Sequence, residues 1–383
     1  MMNAISRLQL LTAQMHLEPA EDALCPKLSQ RKQDEIYLSS AALPNGKRIS
    51  LLKTLLTSVC ERNCFYCPFR SGRDMRRASF KPDEFARVFM HLHNSRAVEG
   101  IFLSSGIVNG GIRTQDHLLA TAEILRKKYH FKGYLHLKIM PGVEKSQVEQ
   151  AMLLADRVSI NLEAPNDTRL QKLAPKKQFL DELMQPLHWI NQIRQTTSPH
   201  KAWKGTWPSS VTQFVIGAVG DTDLEILSTT ENLHRYTGLA RAYFSAFNPI
   251  ENTPLENLTA TPQIRQNRLY QASFLLRDYG FILEDLPFLE SGDLPIENDP
   301  KTAWAQVHLA HHPVEINLAS REELLRIPGI GPKSVKVILS ARRERRLSDL
   351  STLGKLGILA QKASPFILLN GKRPEQQLMF AGW

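Results

Sequence analysis

SLLKTLLTSVCERNCFYC, residues 50–67, decides how the rest of the chain is read. Its opening run, Ser50–Thr57, is short, apolar and rich in Leu and Thr, the pattern of a strand buried on both faces. The residues after it carry Cys60, Cys64 and Cys67, directly beyond the strand's C-terminal end. In parallel β/α folds that end is where reactive groups gather. Working outward, PDEFARVFMHLHNS at 82–95 predicts a helix, with Pro82, Asp83 and Glu84 in its first turn and Phe85, Val88, Phe89 and Leu92 on one face. Strands are then expected at 99–106, 133–142, 157–163, 210–220 and 239–250, with helices at 116–130, 145–155, 179–195 and 221–238 between them. This alternation predicts a parallel β/α domain, an open curved sheet or a barrel.

The chain has 383 residues, enough for two to three domains on a prior of about 150 residues each. At 42% hydrophobic and 22% charged it excludes wholesale disorder, collagen and a coiled-coil rod. Four cysteines are too few for a disulfide scaffold. Glu18, Glu21 and Asp22 stand where a signal peptide would need an apolar run, and no stretch reaches 18 uninterrupted apolar residues. The expectation is therefore a cytoplasmic protein with no membrane span.

Three thiols with three and two residues between them can wrap one iron–sulfur cluster and leave one iron open. The residues alone also leave room for a zinc site completed by His130, His136 or His188, or for a redox pair at Cys64 and Cys67. Cys25 has no partner spacing, and its expected role is that of a lone buried thiol.

CERNCFYC resembles the CxxxCxxC signature of the radical S-adenosylmethionine (SAM) enzymes, with Tyr66 at the aromatic position before the last cysteine. The resemblance implies a [4Fe–4S] cluster on Cys60, Cys64 and Cys67. The open iron would take S-adenosylmethionine, and an electron donor such as flavodoxin or ferredoxin would reduce the cluster. It also implies cofactor contacts from Tyr66; from Ser104, Ser105 and Gly106, similar to the family's glycine-rich turn; and from Glu163 at the end of VSINLE. Ile216 and Gly217 in FVIGAVG resemble a turn beside adenine, and Asn248 resembles part of the closing strand. The run PFRSGRDMRRASF after the cysteines adds Arg70, Arg73, Arg76 and Arg77, candidates for a phosphate backbone at the cavity mouth. Lys138 on the third strand of the alternation is a further candidate for the same cavity.

The formal charge of +10 is concentrated near the C-terminus: residues 326–346 hold seven basic residues and one acidic, a net +6. LLRIPGIGPKSVKVI resembles a helix-hairpin-helix module, a binder of DNA backbones without sequence preference. Gly329 and Gly331 would form its turn, with Lys333, Lys336, Arg342 and Arg343 around it. The combination resembles the DNA modification/repair radical SAM proteins associated with uracil-DNA glycosylase-like partners.

The expected fold is α/β: a partial (β/α)6 TIM-like barrel of the radical SAM type with a small C-terminal all-α helix-hairpin-helix domain. Residues 1–48 would be a helical and polar extension, 49–260 the radical SAM core, 261–312 a helical extension and linker, 313–360 the hairpin module and 361–383 a loosely packed tail. The expected function is cleavage of S-adenosylmethionine to start radical modification or repair of DNA. The alternatives are an RNA-modifying radical SAM enzyme and a non-catalytic iron–sulfur protein that binds nucleic acid.

Overall fold

A computed structural model describes residues 3–15, 30–33, 36–42 and 46–374. Cys25 lies outside the described residues. The chain divides into two compact units, Met1–Asp221 with Asn232–Pro262, and Thr222–Glu231 with Gln263–Trp383.

The first unit is built on one sheet with strands in chain order: β1 (Gln30–Gln33), β2 (Ile36–Ala42), β3 (Arg48–Leu55), β4 (Gly100–Ser104), β5 (Tyr134–Lys138), β6 (Arg157–Ser159), β7 (Ser209–Ile216) and β8 (Arg241–Ala246). From β3 to β8 every neighbouring pair is parallel, so each connection must cross over, mostly through a helix. The helices of this part of the chain are α1 (Ala4–Gln14), α2 (Pro82–Asn94), α3 (Gly110–Glu123), α4 (Lys145–Leu154), α5 (Asp167–Leu173), α6 (Gln185–Thr196) and α7 (Asp223–Thr237). The sheet runs from β1 to β8 without returning to its start, an α/β partial barrel.

The apolar strands are buried on both faces, as their near-continuous hydrophobic runs require: every residue of β4 is buried. On α2, Pro82 starts the helix, Asp83 and Glu84 sit in its first turn, and Phe85 and Phe89 are fully buried. The Phe89 ring meets Phe131 edge-on at 5.0 Å. Burying each such ring contributes about 2–3 kcal/mol.

Two differences from the sequence reading matter. The segment read as a polar lead-in adds two antiparallel strands, β1 and β2, to the edge of the sheet. In IYLSSAA the buried Ile36 and Leu38 share one face but Ser40 follows them on it and the buried Ala41 falls on the other, so the period-two signal is weak. The strand expected over 157–163 keeps its ladder only to Ser159. Pairing resumes at a single bridge from Glu163 to Phe214, with Glu163 in the left-handed region at φ 67°. A non-glycine residue held there costs on the order of 1–3 kcal/mol, so surrounding structure has to hold it.

The second unit contains α8 (Gln263–Asp278), α9 (Pro300–His308), α10 (Arg321–Arg326), α11 (Pro332–Glu344), α12 (Leu350–Lys355) and α13 (Ala360–Ala363). Its core joins Leu324, Leu325, Ile327, Ile330, Val335 and Ile338 of the hairpin to Leu353, Phe366 and Ile367. Ser320 and Glu323 form a capping box at the start of α10. Residues 366–369 are not loose cover: a two-residue strand, β10 (Ile367–Leu368), pairs parallel with β9 (Val314–Glu315), and Ile367 is fully buried. Among the described residues no helix is long and apolar enough to cross a membrane.

Candidate active site

The cysteines sit on a loop held against the C-terminal ends of β3 and β4. Gly106 N donates to Thr57 O at 2.7 Å, and Glu61 N donates to Ile107 O at 2.8 Å. Gly106 is required by this approach, since a Cβ there would overlap the Val59 carbonyl oxygen. A second wall comes from the segment after α5: Phe65 N donates to Leu173 O at 2.8 Å, and Arg62 donates to Lys176 O and pairs with Glu182 at 2.6 Å. Backbone N–H groups already face two of the sulfurs, Ile107 N to Cys60 Sγ at 3.5 Å and Phe69 N to Cys67 Sγ at 3.4 Å.

Cys60, Cys64 and Cys67 all open onto one cavity of about 400 Å³ at this end of the sheet. Of the expected cofactor contacts, Tyr66, Ser104, Ser105, Gly106, Glu163 and Asn248 line it. Ile216 and Gly217 do not. Side chains alternate along β7, and the cavity takes Gln213 and Val215 from one face while Ile216 is fully buried on the other. Gly217 N instead donates to the Asp221 carboxylate at 2.9 Å, closing the turn that ends the strand.

Beside Cys64 and Tyr66 lies a buried polar cluster. Glu163 Oε1 accepts from Lys177 Nζ at 2.9 Å, and Lys138 Nζ bonds Asn161 Oδ1. All four residues line the cavity. Burial by itself would raise the Glu163 carboxyl, but the ammonium groups of Lys177 and Lys138 outweigh it and hold the pKa below its usual value. Burial would lower Lys177, yet Cys64 and Glu163 together push it up. Burial raises the Cys64 thiol, and burial with Glu163 raises the Tyr66 phenol. Lys177 was invisible in the sequence: it stands in a loop, APKKQ, 14 residues beyond Glu163 with no motif around it.

This donor set fits an iron–sulfur cluster with a small zwitterionic ligand. Three soft sulfur ligands share one wall, two of them with N–H donors of the kind that tune such clusters. Glu163 faces the cavity as a buried carboxylate, with Lys177 on Oε1 and the Tyr66 phenol beside it, a negative group placed to meet the positive end of a bound molecule. Among the described residues no histidine lines the cavity, and His136, one of the candidates for a fourth zinc ligand, is packed edge-on against Phe102 at 4.7 Å. Among the described residues no three His, Cys, Asp or Glu side chains close around a single ion.

The arginines after the loop divide by role. The Arg77 guanidinium donates to the carbonyls of Ser58, Phe69, Arg70 and Arg73, and Arg73 donates to those of Glu251 and Pro68. These two were expected on a phosphate backbone; backbone carbonyls occupy them instead. Arg70 is half-buried and Arg76 exposed.

In the second unit the hairpin turn lies between α10 and α11. Gly329 has φ 82°, and a Cβ on it would come within 2.7 Å of Leu359 O. Gly331 caps α11 and Pro332 opens it. Lys333, Lys336 and Arg343 are exposed. Arg342 is half-buried, and its Nη1 donates to Ile316 O at 3.0 Å and Ala319 O at 2.7 Å. Beneath the turn, Lys301 Nζ is buried and donates to Ile330 O at 2.6 Å, and burial lowers its pKa to about 7.

Residues 54–198 match the Radical SAM superfamily. Radical SAM proteins use a [4Fe–4S] cluster and S-adenosylmethionine. Residues 313–341 match the helix-hairpin-helix motif. No curated protein matches the chain. Similar solved structures include the FeFe-hydrogenase maturase HydG from Carboxydothermus hydrogenoformans (16% identity, TM-score 0.44, covering 59% of this chain and 51% of that one). Methylornithine synthase, PylB, is another (14%, 0.45, 59% and 61%), as is the radical S-adenosylmethionine methyltransferase TsrM from Kitasatospora setae (12%, 0.41, 57% and 39%). This chain spans less than two thirds of the length of each. The matched residues contain Cys60, Cys64, Cys67 and the cavity-lining turn Ser104–Gly106.

Proposed function

We propose that this chain is a radical SAM enzyme that modifies or repairs nucleic acid, with DNA as the substrate. The observation that carries the first half is the meeting of Cys60, Cys64, Cys67 and the buried Glu163 carboxylate in one cavity. The substrate rests on the helix-hairpin-helix match together with the exposed Lys333, Lys336 and Arg343 beside its turn.

Cys60, Cys64 and Cys67 are the three cluster ligands in this reading. A [4Fe–4S] cluster held by these thiolates would supply one-electron reducing chemistry for cleavage of S-adenosylmethionine. The chain's own residues bind and orient. The Ser104–Gly106 turn and Asn248 border the cofactor, the Glu163 carboxylate accepts a hydrogen bond from its hydroxyl or ammonium groups, and Lys177 keeps Glu163 ionised. Apolar lining from Met140, Phe247 and Ile250 excludes water from the reacting centre. The hairpin amides and the three exposed cations hold phosphates without reading bases, so selectivity belongs to the cavity. A base target has to leave its stack to reach it. A flavodoxin or ferredoxin is the electron donor in this scheme.

The test is anaerobic reconstitution with labelled S-adenosylmethionine and a panel of intact and damaged DNA and RNA. DNA-stimulated cleavage with a changed nucleotide in the product is the expected result. Stimulation by RNA alone would move the substrate to RNA. Cofactor cleavage with neither binding nor stimulation by nucleic acid would overturn the substrate reading, and a protein that takes up no cluster would overturn the enzyme.

A further inference from the structure

A short ladder brings Arg77 beneath the cysteine loop. Phe80 N donates to Leu56 O at 2.9 Å and Ser58 N to Ala78 O at 3.0 Å, with Thr57 and Ser79 bridged antiparallel between them. From that position one guanidinium reaches both ends of the loop. Arg77 Nη1 donates to Ser58 O at 2.5 Å, two residues before Cys60, and to Phe69 O at 2.7 Å, two residues after Cys67. Nη2 donates to Arg70 O at 2.9 Å and Arg73 O at 3.2 Å. Four carbonyls on one planar fork is a geometry only arginine supplies; a lysine ammonium has three donors radiating from a single point.

We propose that Arg77 is the positioning residue of the cysteine loop: it ties the strand entering the loop to the segment leaving it and presents a fixed positive charge to Cys60 and Cys67. Partial burial lowers the Arg77 pKa, while Cys60 and Cys67 raise it. A cation held there stabilises the more negative, reduced state of an anionic cluster and so raises its reduction potential. The carbonyl fork and the charge are separable, since Arg77→Lys keeps the charge without the fork and Arg77→Met removes both. The inference rests on the proposal that the three cysteines hold a [4Fe–4S] cluster.

The experiment compares wild type, Arg77→Lys and Arg77→Met after anaerobic reconstitution. Its readouts are iron content, the rate of iron loss to a ferrous chelator, the midpoint potential from an EPR-monitored titration, and the melting temperature of the metal-free protein. Arg77→Lys is expected to release iron at least tenfold faster than wild type, from the net loss of one or more charged hydrogen bonds, while its potential stays near that of wild type. Arg77→Met is expected to release iron at least as fast and to have a lower potential than Arg77→Lys. If Arg77→Met holds no cluster, Arg77→Gln, uncharged but still a donor, replaces it in the titration. Iron retention by Arg77→Lys equal to wild type overturns the clamp, and equal potentials in the charged and uncharged variants overturn the electrostatic role. A lowered melting temperature with unchanged iron release and potential reduces Arg77 to ordinary packing and overturns both. Wild type that takes up no iron defeats the cluster reading itself, a result distinct from all of these.

Discussion

Lys177 Nζ lies 2.9 Å from Glu163 Oε1, and the two side chains are only 8% and 4% exposed. The pair connects a loop without regular structure to a residue in a strained backbone conformation, at the wall of the cysteine cavity. Removing one partner leaves an uncompensated buried charge, which costs about 3–5 kcal/mol. Lys177→Met should therefore lower the unfolding free energy by about that much in urea titrations, and Lys177→Met combined with Glu163→Gln should recover most of the loss. Equal destabilisation in the single and double variants would show that the pair is not coupled.

The same pair sets an acid limit. A carboxyl held below its unfolded pKa contributes stability above that unfolded value, and the contribution disappears as pH falls through the folded pKa. Wild type should accordingly lose stability relative to Glu163→Gln below about pH 4. Thermal melts of the two proteins from pH 6 to pH 3 measure this difference.

Lys301 acts in the same direction, but in a window several pH units higher. Its ammonium is buried under the hairpin turn with a pKa of about 7, against 10.5 for an ordinary lysine. Between those values the unfolded chain binds the extra proton, so folded stability rises with pH, by at most about 1.4 kcal/mol per unit. Wild type should gain on Lys301→Met as pH increases from 7 to 9 in denaturant titrations. A constant gap would mean that the ammonium keeps its proton in the fold.

Lys333 and Lys336 are exposed at the start of α11, whereas Arg342 is engaged with Ile316 and Ala319. Lys333→Gln with Lys336→Gln should weaken binding to all DNA sequences and reduce the slope of log K against log salt by about 2. Arg342→Met should lower the stability of its own unit while leaving that slope unchanged. Fluorescence anisotropy at several salt concentrations separates the two.

Gly106→Ala places a methyl group against the Val59 carbonyl, between the loop and the turn after β4. The expected cost is about 1–3 kcal/mol from overpacking, with reduced iron incorporation on reconstitution. Iron analysis and a melting curve check it together.

Periodicity and spacing alone made the parallel β/α alternation, the cysteine loop beyond its first strand and the Gly-Ile-Gly turn legible, because each is a local pattern. Apolar runs write strands, thiol spacing writes a ligand loop, and Pro332 after Gly331 writes a helix start. Only the tertiary structure decided which charged residues serve the site. Arg73, Arg77 and Arg342 look in sequence like any exposed basic residues, but their partners are backbone carbonyls, which every residue carries and no motif advertises. Lys177 reaches Glu163 because a loop folds back over the ends of the strands. Ile216 and Gly217 fall away from the cavity because the side-chain period of a strand is two and the register selects Gln213 and Val215. Local sequence thus specified the elements and the thiols, while the pairing of charges depended on distances that exist only after the sheet has curved and the loops have closed over it.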